Sequence, residues 1–224
     1  MVKIRVFSCL LVCTLFLGCN VLNRSQSTAS IGAGEGAAEG AEIENASGNT
    51  SLTAITEATV GGAAGAVIGE KMDEQAGEIE QELDGAKIER VGQGIVVEFN
   101  NDALFDPDSI TLKDFAKTNL TRFADVLKEY PHTNIHIQGH TDNEGESRSN
   151  QDLSEEQAIA AANYLAENGI VASRLTIIGF GDEEPKYTND TEEGQAQNRR
   201  VEFVITANKE MIAEAEREAG GNES

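Results

Sequence analysis

From Leu112 onward the apolar residues switch back and forth between two spacings, and that alternation most limits the folds open to this chain. Leu112, Phe115, Ala116, Leu120, Phe123 and Leu127 recur every three or four residues, the stripe of an amphipathic helix. Pro131 ends it. Asn134 to His140 then alternates, with Ile135 and Ile137 on one face, and reads as a strand. Ser154 to Asn168 returns to helical spacing, buried through Ala158, Ala162 and Leu165 and capped by Gly169. Leu175 to Ile178 and Val201 to Ile205 read as further strands. Upstream, Ile88, Val91 and the run Ile95 to Phe99 suggest two short extended pieces, and Asp106 to Ser109 is a turn that starts the first long helix. A last helix is expected over Lys209 to Glu218. Helices alternating with strands predict an α+β domain, a mixed sheet with helices packed on it.

That domain must stand on packing alone. All three cysteines precede residue 20, so no disulfide is available beyond it. Lys3 and Arg5 are followed by an apolar run, Val6 to Leu17, about the length of a signal-peptide core and short of the roughly 20 residues of a spanning helix. Gly18-Cys19 ends the run and resembles a bacterial lipobox, with Phe16 where leucine is usual. The resemblance implies cleavage after residue 18 and acyl chains, palmitate among them, on Cys19. The alternative is an ordinary signal peptide cut elsewhere. Asn20, where aspartate would favour inner-membrane retention in lipoproteins, points to the outer membrane. Residues 19–57 are rich in Ser, Thr, Gly, Ala and Glu and read as a disordered tether, able to reach on the order of 130 Å when extended. The net charge is −22 with pI near 4.4. Such a chain repels nucleic acid and anionic membrane surfaces. With no tryptophan it offers little for base or sugar stacking.

Residues 58–85 form a third kind of segment. Gly61, Gly65 and Gly69 recur every four residues, which on a helix makes one small-residue face suited to close helix packing or a homo-oligomer. The competing reading is a linker with little fixed structure. Met72 to Leu83, acidic around Ile79 and Leu83, reads as a short exposed helix.

Three separated motifs carry a resemblance. Ile137 to Gly145 reads IQGHTDNEG, Asn150, Leu153 and Ser154 form N-x-x-L-S, and Ala196 to Glu202 contains N-R-R-V-E. Together they resemble the peptidoglycan-associating domain found at the C-terminus of outer membrane protein A (OmpA) and in envelope lipoproteins. With the glycine segment in front, the chain is similar to YiaD-type lipoproteins. The resemblance implies a βαβαββ mixed sheet over residues 86–207, with a C-terminal helix and tail over 208–224. It also implies a pocket for the zwitterionic end of diaminopimelate in the peptidoglycan stem. There Asp142 takes the ammonium, Asn150 supplies hydrogen bonds, and Arg199 and Asp106 line the site. The family's carboxylate-binding arginine falls at Gln157, which has no charge, and a second family arginine falls at Gln195. A weakened grip is therefore expected. Gln157 has a second reading, as the partner of Ser154 in a helix capping box. Asp142 has one as a turn cap, and Asn150 as a loop asparagine bonded to nearby backbone. Arg199 and Arg200 are neighbours on a strand, so at most one enters the pocket.

His132, His136 and His140 are four apart. On a strand that separation spans roughly 13 Å, too far for two imidazoles to share a metal whose ligand bonds are about 2.0–2.1 Å. No metal, cofactor or enzymatic activity is expected. The expected role is an outer-membrane lipoprotein, anchored by its lipid and facing the periplasm, that binds peptidoglycan. The alternative is an envelope interaction or self-association protein with a weakened pocket. A flagellar-stator role is disfavoured because no spanning helix is present.

Overall fold

The computed structural model describes residue 55, residues 59–106 and residues 109–221. All fall within one compact unit, residues 35–224. The signal segment, Cys19 and nearly all of the tether lie outside the described residues.

The elements follow in the order α1 (Gly62–Glu82), β1 (Ala86–Val91), β2 (Gly94–Asn100), α2 (Asn101–Leu104), α3 (Asp114–Glu129), β3 (Thr133–His140), α4 (Ser147–Glu167), β4 (Leu175–Gly181), α5 (Glu192–Asn198), β5 (Arg200–Ala207) and α6 (Lys209–Gly221). One mixed sheet has the order β1-β2-β5-β3-β4. Only β3 and β4 run parallel; the other neighbours are antiparallel. The parallel pair needs a crossover, which α4 supplies. From β2 to β5 this is the expected βαβαββ path, with β1 added as a hairpin and two short helices interposed.

Alternation along the strands sorts the two faces. Val201, Phe203 and Ile205 of β5 point to the helical side with Val97, Phe99, Ile135 and Ile137. Phe203 meets Phe99 and Phe123 edge to face, at centroid distances of 5.9 and 5.3 Å. The opposite face is polar at one end. Buried Arg200 donates to buried Glu202 at 2.7 Å, and Lys186 bridges Glu98 at 2.5 Å and Glu202 at 3.5 Å.

Two local readings change. The stretch read as a glycine-rich piece followed by a short exposed helix is one helix of 21 residues. Ile68, Met72, Ala76, Ile79 and Leu83 make an apolar stripe, and it is buried in the same core as Phe123 and Met211. The glutamates between them occupy the outer face, and their density hides the stripe in the sequence. Of the three glycines, Gly65 lies tightly against Val60 and Gln93, while nothing stands within 4 Å of a side chain built at Gly61 or Gly69. Helix α4 also begins seven residues before the expected Ser154. Ser154 sits inside it, donating to the Gln151 carbonyl at 2.9 Å and accepting from Gly181 N–H at 2.9 Å. It caps nothing, so the capping-box reading of Gln157 falls.

The reason α4 can lie so low is a pair of glycines. Gly139 and Gly179 are register partners on β3 and β4. A Cβ at Gly139 would meet the Ser154 carbonyl, and one at Gly179 would come within 2.8 Å of the Ser154 hydroxyl and the Glu155 amide nitrogen. The helix backbone rests directly on the sheet at this point.

Candidate functional site

Strand β5 lies between β2 and β3, so its first residue pairs with the last residue of each: Arg200 faces Asn100 on one side and His140 on the other. Whatever follows β2, follows β3 or precedes β5 is therefore brought to one edge of the sheet. Those residues are Asp102, Asp142 and Arg199.

They line a cleft of about 500 Å³ that also includes Lys113, Glu144 and Asn150. Arg199 Nη1 donates to Asp142 Oδ2 at 2.6 Å, and Arg199 Nη2 lies 3.6 Å from Asp102 Oδ2. The hydrogen bond to Asp142 is the main cause holding the Arg199 guanidinium above its ordinary pKa. Asp142 is buried, and its other oxygen accepts from Glu144 N–H at 3.0 Å, which closes a tight turn. Asn150, in the first turn of α4, donates to the Glu144 carbonyl at 3.0 Å and the Asp142 carbonyl at 3.3 Å. Asp142 thus serves as a turn cap and Asn150 as a loop tie, while both also face the cleft.

The remaining two proposed site residues are outside the cleft's lining, although Asp106 borders it beside Lys113. Gln157 is buried away from the lining, and its Nε2 donates to the Ser109 carbonyl at 3.0 Å. It holds the loop between Phe105 and Leu112 against α4. Asp106 is exposed and pairs with Lys113 at 3.2 Å. Asp102, not Asp106, supplies the cleft's carboxylate from this region. Gln195 lies near the rim and donates to Glu144 Oε1 at 3.2 Å. Arg200, as adjacency on a strand requires, turns to the opposite face of the sheet.

The sequence reading missed Asp102 and Lys113. The first is joined to Asp142 only through the pairing of β2 and β3 with β5. The second lies just before α3, where its flanking apolar residues draw attention to packing.

The histidines do not converge. His132 is exposed beside Glu214 at 3.5 Å, and His140 is buried against Phe180, ring centroids 5.1 Å apart. Among the described residues no group of three His, Cys, Asp or Glu side chains is placed to hold a metal ion. No helix among them is long and apolar enough to cross a membrane. A separate cleft of about 390 Å³, lined by Glu78, Glu82, Asp125 and Glu129 with Arg122, contains none of the motif residues.

Residues 104–199 match the model of the OmpA family, and residues 1–73 match that of the YMGG-like Gly-zipper. The chain is 38% identical over 144 residues to the probable lipoprotein YiaD of Escherichia coli K12, covering 63% of this chain and 66% of that protein. It is 41% identical over 86 residues to the peptidoglycan-binding protein ArfA of Mycobacterium tuberculosis, covering 38% of this chain and 26% of that one. Among solved structures, the cell wall anchor of the type VI secretion system (T6SS) from Pseudomonas aeruginosa superposes with a TM-score of 0.53 at 31% identity, over 61% of this chain and 96% of that chain. The chain spans 66% of YiaD and about a quarter of ArfA. Residues 104–199 are thus a domain of the OmpA family, and the match to the YMGG-like Gly-zipper precedes it.

Proposed function

We propose that this protein is an outer-membrane lipoprotein that holds peptidoglycan non-covalently, gripping the zwitterionic end of diaminopimelate in the stem peptide and so tying the membrane to the wall. In this reading Cys19 carries the lipid and the domain faces the periplasm. The observation that carries it is the Asp142–Arg199 pair, 2.6 Å apart on the wall of a cleft of mixed charge. A zwitterion needs an acceptor-only group and a donor-only group held at fixed separation. A carboxylate has about four acceptor sites, so Asp142 can receive an ammonium while keeping Arg199 and the Glu144 amide. Asn150 holds the loop that presents Asp142. No chemical step is assigned to the site.

A relative named as a probable lipoprotein and one named for peptidoglycan binding support the reading. The alternative, an envelope protein acting by self-association, draws on the uncharged Gln157 and on the open space around Gly61 and Gly69. Co-sedimentation of the full chain with purified sacculi separates the two. Wild-type protein is expected in the pellet. Asp142→Asn, which loses the ammonium's charge-assisted contact, and Arg199→Met, which removes the guanidinium that holds Asp142, should each bind at least roughly 10-fold more weakly. Wild-type protein that stays in the supernatant would refute the proposal.

A further inference from the structure

We propose that Lys113 is the cation that receives the ligand's carboxylate. The inference rests on the peptidoglycan reading above and assigns the half of the zwitterion that Asp142 cannot bind.

The cleft is lined by two cations, Lys113 and Arg199. Arg199 is already committed, with one nitrogen on Asp142 at 2.6 Å and another 3.6 Å from Asp102. Drawing it away would strip a buried carboxylate of its partner. Lys113 is held differently. Its Nζ donates to the Asp102 carbonyl at 2.8 Å and lies 3.2 Å from the exposed Asp106 carboxylate. An ion pair with so exposed a partner contributes little and exchanges readily. An ammonium has three donors, so a ligand carboxylate can take the third or displace Asp106.

The order of charges fits a zwitterion. Asp102 stands between the two cations, its carbonyl on Lys113 and its carboxylate towards Arg199, and Asp142 lies beyond Arg199. A ligand with its ammonium at the Asp142 end places its carboxylate at the Lys113 end. The backbone around Lys113 is built to hold that position. Its own N–H donates to the Leu104 carbonyl at 2.9 Å, and Phe105 and Leu112 pair across the base of the loop. Gln157 fastens the same loop to α4 through Ser109. The uncharged residue at 157 thus positions the loop, and the charge comes from Lys113.

The test uses the full chain and two muropeptides, one with a free carboxylate at the zwitterionic centre of diaminopimelate and one amidated there, titrated by calorimetry. Wild-type protein is expected to prefer the free form by roughly 10- to 100-fold. Lys113→Met should bind both forms alike, at about the wild-type affinity for the amidated one, while Lys113→Arg should keep the preference. Matching urea midpoints for wild type and both variants would show that the fold is intact. A Lys113→Met protein that still prefers the free form would overturn the assignment, as would wild-type protein binding both forms equally. In either case the peptidoglycan reading would survive. Wild-type protein that binds neither form would bring down that reading and this one with it.

Discussion

Placing an alanine at Gly139 tests the contact on which the cleft's geometry depends. The added Cβ would stand 2.8 Å from the Ser154 carbonyl carbon and closer still to its oxygen. Optimal carbon–carbon contact is about 3.5–4.0 Å, so α4 would have to withdraw by roughly 1 Å. It cannot do so freely, because Ala158, Ala161 and Leu165 further along its length are buried in the core. Overpacking of this kind costs about 1–3 kcal/mol, and more where the obstacle is backbone. The better strand propensity of alanine returns only a few tenths. A loss of about 3 kcal/mol is therefore expected, a fall of roughly 6–12 °C in Tm for a unit of this size. Asn150 rides on the same helix, so the Asp142 loop should loosen and ligand affinity should fall as well. Gly69→Ala is the control. It lies inside α1 with open space around it and should stabilise by about 0.5–1 kcal/mol. Urea unfolding of the two variants decides the matter. A Gly139→Ala protein within about 0.5 kcal/mol of wild type would refute the close approach of helix and sheet.

Two further perturbations address the other side of the sheet and the end of α3. Burial, with added repulsion from Arg200 and Lys186 against partial relief from Glu202, pushes the His140 pKa down to about 3 from its ordinary 6.5. The fold holds the neutral imidazole, so its contribution is complete above pH 6.5 and is lost as pH falls from 6.5 towards 3. Between pH 7 and pH 5 this amounts to about 2 kcal/mol, which His140→Phe should remove from the difference in urea stability measured at those two pH values. An unchanged pH dependence would show that His140 does not carry it. Arg174 donates to the carbonyls of Leu127, Tyr130 and Thr133 and to the Thr133 hydroxyl, all at 2.8–2.9 Å. Arg174→Met removes four donated bonds, leaving the Tyr130 carbonyl only the Thr133 hydroxyl at 3.1 Å, and should cost about 2–4 kcal/mol, with lysine restoring only part of it; a thermal melt like that of wild type would contradict this.

The fold was readable where packing and spacing agree. The stripe from Leu112 to Leu127 and the alternation around Ile135 and Ile137 are local signals, and both elements appear where those signals lie. Residues 147–153 were missed as helix because Ser147, Ser149 and Asn150 favour caps and turns, while what makes them helical is tertiary. Helix α4 continues across Gly139, Gly179 and Gly181, which sit on two different strands that only the crossover brings side by side. Asp142 and Arg199 were found through short motifs. Asp106 was named through the resemblance, as part of a recognisable acidic turn, whereas nothing marked Asp102, which reaches the cleft only through the register of β2 with β5. The length of α1 was concealed by glycines at one end and glutamates at the other, although Ile68, Met72 and Ile79 were spaced for it.

The side chain of Gln93, at the turn between β1 and β2, meets Val60 as a neighbouring strand would. Its Oε1 accepts from Val60 N–H at 2.8 Å, and its Nε2 donates to the Val60 carbonyl at 2.7 Å. Both bonds engage a single residue, so they form and break together rather than fraying one by one. The folded body is therefore clamped at Val60 by one amide, a few residues after Ile55 is buried against Val96 and Val204. Any tug transmitted along the backbone from upstream meets the packing of Ile55 and then this clamp, before it reaches the helix that follows.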